Sequence, residues 1–81
     1  MLIEILYPNE WSGGLCDSYE ARVCLSKTTN SFVTGLMWAA GDAMEYLRSL
    51  DPIHGKRFLL YKDGAYCGEI WTETRDINLE L

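Results

Sequence analysis

The chain has 81 residues, a length that fits one domain (residues 1–81) built around a single small core. Nearly half of its residues are apolar (48%), more than disordered segments contain. Seven Lys and Arg against twelve Asp and Glu give a net charge of −5, and this balance disfavours direct binding of nucleic acid, whose phosphates need a basic face.

Two strands are predicted in the first third of the chain. Residues 2–7 are aliphatic and rich in isoleucine, and Pro8 ends the run. Residues 9–17 contain two adjacent glycines and no periodicity, which predicts a loop that carries Trp11. From residue 18 to residue 27 apolar and polar side chains alternate, with Tyr19 and Leu25 on the apolar face. The alternation predicts a half-exposed antiparallel strand.

One helix is predicted from residue 31 to residue 50. Ser31 and the three residues before it offer side-chain oxygens that can cap the first turn, and the Asp-Pro pair at 51–52 stops the helix. Small residues at intervals of four, Gly35, Ala39 and Ala43, would let its backbone approach a sheet closely. The centre of the apolar stripe is expected to hold Phe32, Leu36, Ala40, Ala43, Leu47 and Leu50.

A hairpin is predicted after the helix. Residues 57–62 and 65–73 read as strands, and the Asp-Gly pair between them suits a type I′ turn, whose two central residues need positive φ. Such a turn would pair Tyr61 with Tyr66 and Leu60 with Cys67. Residues 77–81 allow a last short strand. The chain is therefore predicted to be an α+β domain, with a small antiparallel β-sheet in the order β-β-α-β-β, a fifth strand allowed, and one helix packed on one face.

Trp38 is the residue that the predicted helix does not explain. A helical projection puts it about 160° from the centre of the apolar stripe, on the polar side with Asp42 and Glu45. Two interpretations stay open. Either the loop at 9–17 covers Trp38, or Trp38 is an anchor on a surface that binds another protein, where exposed aromatics are enriched.

The residue types of a metal or catalytic site occur without the spacing of one. Cys16, Cys24, Cys67 and His54 could bind zinc, but they form no recognised ligand motif. His54 is the single histidine and lies beside Gly55 and Lys56; one histidine in a loop is compatible with a catalytic triad but does not indicate one. We therefore expect no metal, no cofactor and no enzymatic activity.

The predicted hairpin offers a second aromatic centre. Trp71 lies between Glu69 and Glu73 on one face of its strand, as an aromatic residue with an acidic rim. The predicted partner-binding residues are Trp38, Asp42, Glu45, Trp71, Glu69, Glu73 and Trp11.

Location and function are predicted from charge and from what the chain lacks. MLIEILYPNEW does not read as a secretion signal, no stretch approaches the roughly 20 apolar residues that span a bilayer, and three cysteines suit a reduced compartment. These features predict a cytoplasmic protein without membrane binding.

The leading functional hypothesis is a small acidic protein that binds and inhibits or modulates a larger protein complex through a basic surface of that complex. In size and charge the chain resembles inhibitors that phages and mobile elements direct against host defence systems, such as anti-CRISPR proteins that block a nucleic-acid-binding surface. The alternative is a small regulatory or structural homodimer assembled through the sheet face that the helix leaves uncovered.

Overall fold

A computed structural model describes residues 1–8, 19–50 and 57–80. In these ranges five strands form one antiparallel sheet in the order β2-β1-β3-β4-β5. The strands are β1 (Leu2–Leu6), β2 (Val23–Thr28), β3 (Arg57–Lys62), β4 (Ala65–Trp71) and β5 (Asp76–Leu79). The α+β fold is therefore confirmed, together with the fifth strand. No helix in the described ranges has the length and apolar character needed to cross a membrane.

Strand β1 lies between β2 and β3 and contributes to the core. Ile3 and Ile5 are buried on the side of the helix, as the alternation of the first strand predicts. Phe58 and Leu60 of β3 and Ile70 of β4 join them in one cluster. Two predicted features fall outside the described residues: the loop at 9–17 and the helix stop at 51–52.

The predicted strand at 18–27 is wrong in its first half. Tyr19–Arg22 form a short helix, α1, and β2 begins only at Val23. The sequence YEAR consists mostly of good helix formers, and four residues are too few for an alternating pattern to exclude a helical turn. The contact of Tyr19 with Glu4 of β1 also fixes this turn against the sheet.

The main helix, α2, extends from Phe32 to Arg48 and contains a π turn. It consists of α-helix at Phe32–Trp38, π-helix at Ala39–Ala43 and α-helix again at Met44–Arg48. The Ser31 hydroxyl accepts a hydrogen bond from the Thr34 amide at 3.1 Å, so the predicted cap is confirmed.

The π turn changes which residues face the sheet. Two residues are buried in this half of the helix: Gly35 in the first segment and Ala39, the first residue of the π turn. They lie about 100° and 60° from Leu36 in the direction of Trp38. Trp38 is consequently half-buried and packs against the core, so its predicted position on the polar side is wrong. Ala40, expected in the stripe, is exposed.

Beyond the π turn the helix returns to the same side of the sheet. A π turn holds about one residue more than an α turn, so it sets the following residues back by about 100°. This offset brings Ala43, Met44 and Leu47 over the sheet, where all three are buried.

Close contact between helix and sheet is confirmed at Gly35. A Cβ atom at this position would lie 2.6 Å from Cγ1 of Ile3, inside van der Waals distance. The absence of a side chain therefore allows the first turns of α2 to lie directly on β1.

The hairpin of β3 and β4 has the predicted turn but not the predicted register. Asp63 and Gly64 have φ values of 49° and 83°, as a type I′ turn requires. Tyr61 pairs with Tyr66, but Leu60 pairs with Gly68, so Cys67 is the extra residue of a β-bulge and its predicted pairing is wrong.

The bulge exchanges the two faces of β4 beyond it. Regular alternation from the predicted pair of Tyr61 and Tyr66 would place Ile70 beside Leu59 and Tyr61, yet Ile70 faces the helix. The predicted pair of Leu60 and Cys67 would likewise place Glu69 and Trp71 beside Phe58 and Leu60, and they lie on the opposite face instead.

Candidate protein-binding surface

The sheet surface turned away from α2, here called the second face, carries most of the candidate residues. Alternation along the strands and the observed registers assign the following described side chains to it: Glu4, Leu6, Arg57, Leu59, Tyr61, Tyr66, Glu69, Trp71, Asp76 and Asn78. It is an aromatic surface with charged groups among the rings.

Three tyrosines form a connected row on this face. The rings of Tyr19 and Tyr61 meet edge to face with centroids 5.3 Å apart, and those of Tyr61 and Tyr66 do so at 5.8 Å. Tyr66 is 41% exposed, whereas Tyr61 and Tyr19 are half-buried. The row therefore ends in a ring that is open to a partner.

The buried end of the row is fixed by a hydrogen bond. The Tyr19 hydroxyl donates to Oε1 of Glu4 at 2.5 Å. Burial raises the pKa of Tyr19, and the hydrogen bond to Glu4 raises it further. Because the hydroxyl keeps its proton at neutral pH, it remains a donor that holds both the ring and the Glu4 carboxylate in place.

Trp71 lies between a cation and an anion on neighbouring strands. It pairs across the ladder with Arg57 of β3 on one side and with Asp76 of β5 on the other. Trp71 is 39% exposed. An indole in this position presents an apolar surface bordered by charge, which is the composition of an interface core with its rim.

The predicted acidic rim is only partly present. Glu69 lies on the same face as Trp71, as expected, but it forms an ion pair with Arg57 that offsets its charge. Glu73 is exposed in the turn after β4. Glu80 supplies a negative charge near the exposed ring of Tyr66 instead. Burial raises the pKa of Tyr66, and the charges of Glu69 and Glu80 raise it further, so both carboxylates lie near that ring.

Three other predicted residues, Trp38, Asp42 and Glu45, lie on the helix side of the sheet. Trp38 packs against the core, while Asp42 and Glu45 are exposed. Glu45 forms an exposed ion pair with Arg75, 3.3 Å between Oε1 and Nη1. Trp11 lies outside the described residues. The structure therefore does not unite the predicted residues in one surface: Glu69 and Trp71 lie on one side, Asp42 and Glu45 on the other.

Three residues of the second face were missed by the sequence reasoning, and so was Glu80, which lies near the ring of Tyr66. The facing pair Tyr61 and Tyr66 was visible in the predicted hairpin but was not assigned a role. Asp76 and Glu80 could be assigned only once β5 was placed beside β4.

Both described cysteines are free thiols at irregular points of the sheet. Cys67 is the bulge residue of β4, and Cys24 is skipped in the same way where Ile5 pairs with Leu25 and Leu6 with Val23. Burial raises the pKa of each thiol, which disfavours the thiolate needed for nucleophilic attack or metal binding.

Within residues 1–8, 19–50 and 57–80 no three His, Cys, Asp or Glu side chains are grouped as ligands for a metal ion. Cys16 and His54, the other two zinc candidates, lie outside these ranges.

Comparison of the chain with protein-family models, with curated proteins and with solved structures gave no match. The interpretation of the second face therefore depends on its geometry and charge.

Proposed function

We propose that the chain is a non-catalytic protein that binds a basic surface of a larger protein and modulates its activity. The observation that carries the proposal is the pair of exposed rings on the second face, Tyr66 and Trp71, with carboxylates beside them. Aromatic side chains supply much of the binding energy of protein interfaces, and carboxylates around them select a cationic partner.

The ring and charge positions fit the side chains of lysine and arginine. A cation can lie against the face of Trp71 or Tyr66 while a carboxylate of Asp76 or Glu80 neutralises it. The net charge of −5 adds long-range attraction toward a basic surface. The same charge repels nucleic acid, so the ligand is proposed to be the protein rather than a polynucleotide.

A cytoplasmic location forms part of the proposal. The thiols of Cys24 and Cys67 are both free, which suits a reducing compartment.

Affinity capture with matched variants tests the binding role. Wild-type protein, Trp71→Ala and Met37→Ala are immobilised and exposed to extract of the source cells, and captured proteins are purified for affinity measurement. Met37 is the matched control because it is a large exposed apolar residue on the helix. We expect Trp71→Ala to weaken binding at least about 30-fold, the equivalent of about 2 kcal/mol, and Met37→Ala to bind as the wild type does.

Charge variants test the cationic nature of the partner. Asp76→Asn and Glu80→Gln remove one charge each from the region of the exposed rings, and Asp42→Asn removes one from the helix. Only the first two should reduce both the affinity and its dependence on salt. Equal binding by all variants, or no protein retained more by the wild type than by Trp71→Ala, would refute the proposal.

A further inference from the structure

Strand β5 forms one edge of the sheet. In the described ranges it has a single neighbour, β4, at the end of the order β2-β1-β3-β4-β5. An edge strand presents backbone N–H and C=O groups that its own sheet does not use, and another extended chain can pair with them.

The register shows which backbone groups of β5 point away from β4. The Glu80 amide donates to a carbonyl of β4 at 2.9 Å, so Glu80 belongs to a hydrogen-bonded pair. Hydrogen-bonded and non-hydrogen-bonded pairs alternate along an antiparallel ladder. Asp76 and Asn78 therefore bond toward β4 as Glu80 does, whereas the amides and carbonyls of Ile77 and Leu79 point outward. These four outward groups are called the open edge of β5.

The two sides of β5 differ in polarity. Asp76 and Asn78 are exposed on the second face, and the Glu80 carboxylate that follows them lies near an exposed tyrosine ring. Ile77 and Leu79 point to the other side, where they are half-buried against the core. A strand added at the open edge would therefore extend the core with one set of side chains and meet acidic groups with the other.

The carboxylates beside the open edge are not neutralised by the nearest cations. Arg75, directly before β5, forms its ion pair with Glu45 of the helix, and Arg57 pairs with a carboxylate of β4. Among the described residues no cation forms an ion pair with Asp76 or Glu80. The two negative charges can therefore select a basic strand.

We propose that the basic partner contributes an extended segment that pairs antiparallel with the open edge of β5 and continues the sheet. Lysine or arginine side chains of the segment lie opposite Asp76 and Glu80, and apolar side chains between them lie opposite Ile77 and Leu79. The antiparallel direction is that of every other strand pair in the described sheet. This inference deepens the proposed function and rests on it, because the same carboxylates border the exposed rings of the second face.

Charge favours a basic segment over a second copy of the chain. Two β5 strands paired about a two-fold axis at Asn78 would use both outward residues, and Asp76 of each copy would face Glu80 of the other. Like charges directly opposite each other destabilise a strand pair, and the net charge of −5 adds repulsion. The other edge strand, β2, carries Lys27, which repels a basic segment.

NMR titration with synthetic peptides tests the pairing. The probe is a five-residue peptide with blocked ends in which lysine and valine alternate, beginning and ending with lysine. We expect it to shift the amide signals of Ile77 and Leu79 and to bind with a dissociation constant below about 1 mM. The peptide with glutamate in place of lysine should not bind. Failure of the lysine peptide to bind, or equal binding of the two peptides, would overturn the proposal.

Methylation of peptide nitrogens tests the backbone hydrogen bonds. In the antiparallel pair the valine amides of the probe donate to β5, and its lysine amides point to solvent. N-methylation of both valines should weaken binding at least about tenfold, and N-methylation of two lysines should change it by less than about twofold. Equal effects of the two methylations would refute the pairing. Shifts of the Ile77 and Leu79 signals with protein concentration alone would place a second copy at the edge and would also refute it.

Capture of the native partner keeps this inference separate from the proposed function. If capture depends on Trp71 but both methylated peptides bind equally, the edge pairing is overturned and the proposed function stands. If the peptides behave as expected but capture does not depend on Trp71, the edge pairing is supported and the role of the exposed rings is refuted.

Discussion

The Tyr7 hydroxyl forms a hydrogen bond with the Cys24 thiol beside the core, and the Tyr7 ring packs on Phe58 with centroids 5.8 Å apart. This hydrogen bond and burial raise the pKa of Tyr7 to about 12. The unfolded chain loses the same proton near pH 10. Above about pH 10 the folded state therefore binds more protons than the unfolded state. The contribution of the protonated Tyr7 hydroxyl to the free energy of unfolding is complete below about pH 10 and is lost between about pH 10 and pH 12.

Replacement of Tyr7 by Phe should remove the part of the pH dependence of stability that comes from this hydroxyl. Between about pH 10 and pH 12 the free energy of unfolding of Tyr7→Phe should fall less steeply with pH than that of the wild type. The two slopes should differ by up to about 1.4 kcal/mol per pH unit, the value for one proton. Urea unfolding at several pH values measures the slope. Below about pH 9 the two profiles should run parallel, and identical slopes above pH 10 would contradict the assignment.

At the scale of the helix, Gly35 and Gly41 allow a matched comparison. Both are interior helical positions, where alanine is favoured over glycine by roughly 0.5–1 kcal/mol. At Gly41 the added methyl group meets no atom, so Gly41→Ala should gain this amount. At Gly35 it meets Cγ1 of Ile3 at 2.6 Å, so Gly35→Ala should be destabilised by about 1–3 kcal/mol.

Urea unfolding measures the stability of both glycine variants. Their difference isolates the contact between helix and sheet, because the change in helix propensity is common to the two. Stabilisation of the same size in both variants would show that α2 does not lie on β1 as closely as the structure has it.

The hairpin shows why sequence periodicity predicted the elements but not every face. Asp63 and Gly64 determine the turn through their own backbone preferences, which are local. The bulge at Cys67 lies beside a contact that is not local. A Cβ atom at Gly68, the next residue, would lie 2.4 Å from the Asn78 carbonyl oxygen, so β5 lies close to β4 at a residue without a side chain. The alternation of side chains is read from the sequence of one strand, so it carries no information about contacts with the neighbouring strand.

The π turn in α2 has the same effect on the candidate site. The turn occurs where Ala39 and Ala43 pack on the sheet, and it offsets the helix so that Trp38 is drawn toward the core. A projection at 100° per residue places Trp38 on the polar side because it assumes an unbroken α-helix. On the sheet, Trp71 and Glu69 were correctly placed on a common face, since both lie beyond the bulge and move together.

Deletion of Cys67 tests the observed register. Because Cys67 is the unpaired residue, the shortened β4 would keep the pairs Tyr61 with Tyr66 and Leu60 with Gly68 in a regular ladder. The variant should fold, with a loss of about 2 kcal/mol or less. Deletion of Glu69 is the control, because it would turn Ile70 out of the core, and that variant should not fold.

Circular dichroism and urea unfolding distinguish the two deletions. If β4 were regular and Leu60 faced Cys67, both deletions would invert the residues that follow and both would be severely destabilising. Loss of folding in the Cys67 deletion would therefore contradict the bulge.

At the scale of the whole molecule, the net charge of −5 acts together with the carboxylates near the exposed rings. Asp76 pairs with Trp71 across the ladder, and Glu80 lies near the ring of Tyr66. Association with a basic protein through the second face is therefore attractive at long range.

Added salt should weaken this association. The Debye length falls from about 30 Å at 0.01 M salt to about 8 Å at 0.15 M, so attraction between exposed charges farther apart than about 8 Å is largely screened at the higher concentration.

We expect the affinity for a basic partner to fall between 0.01 M and 0.15 M salt, and isothermal titration calorimetry measures the change. Glu80→Gln and Asp42→Asn are a matched pair, because each changes the net charge from −5 to −4. Glu80→Gln should reduce the salt dependence more than Asp42→Asn does, since Glu80 lies near the Tyr66 ring and Asp42 lies on the helix, on the other side of the sheet. An affinity that does not fall with added salt would show that the second face is not matched to a basic partner.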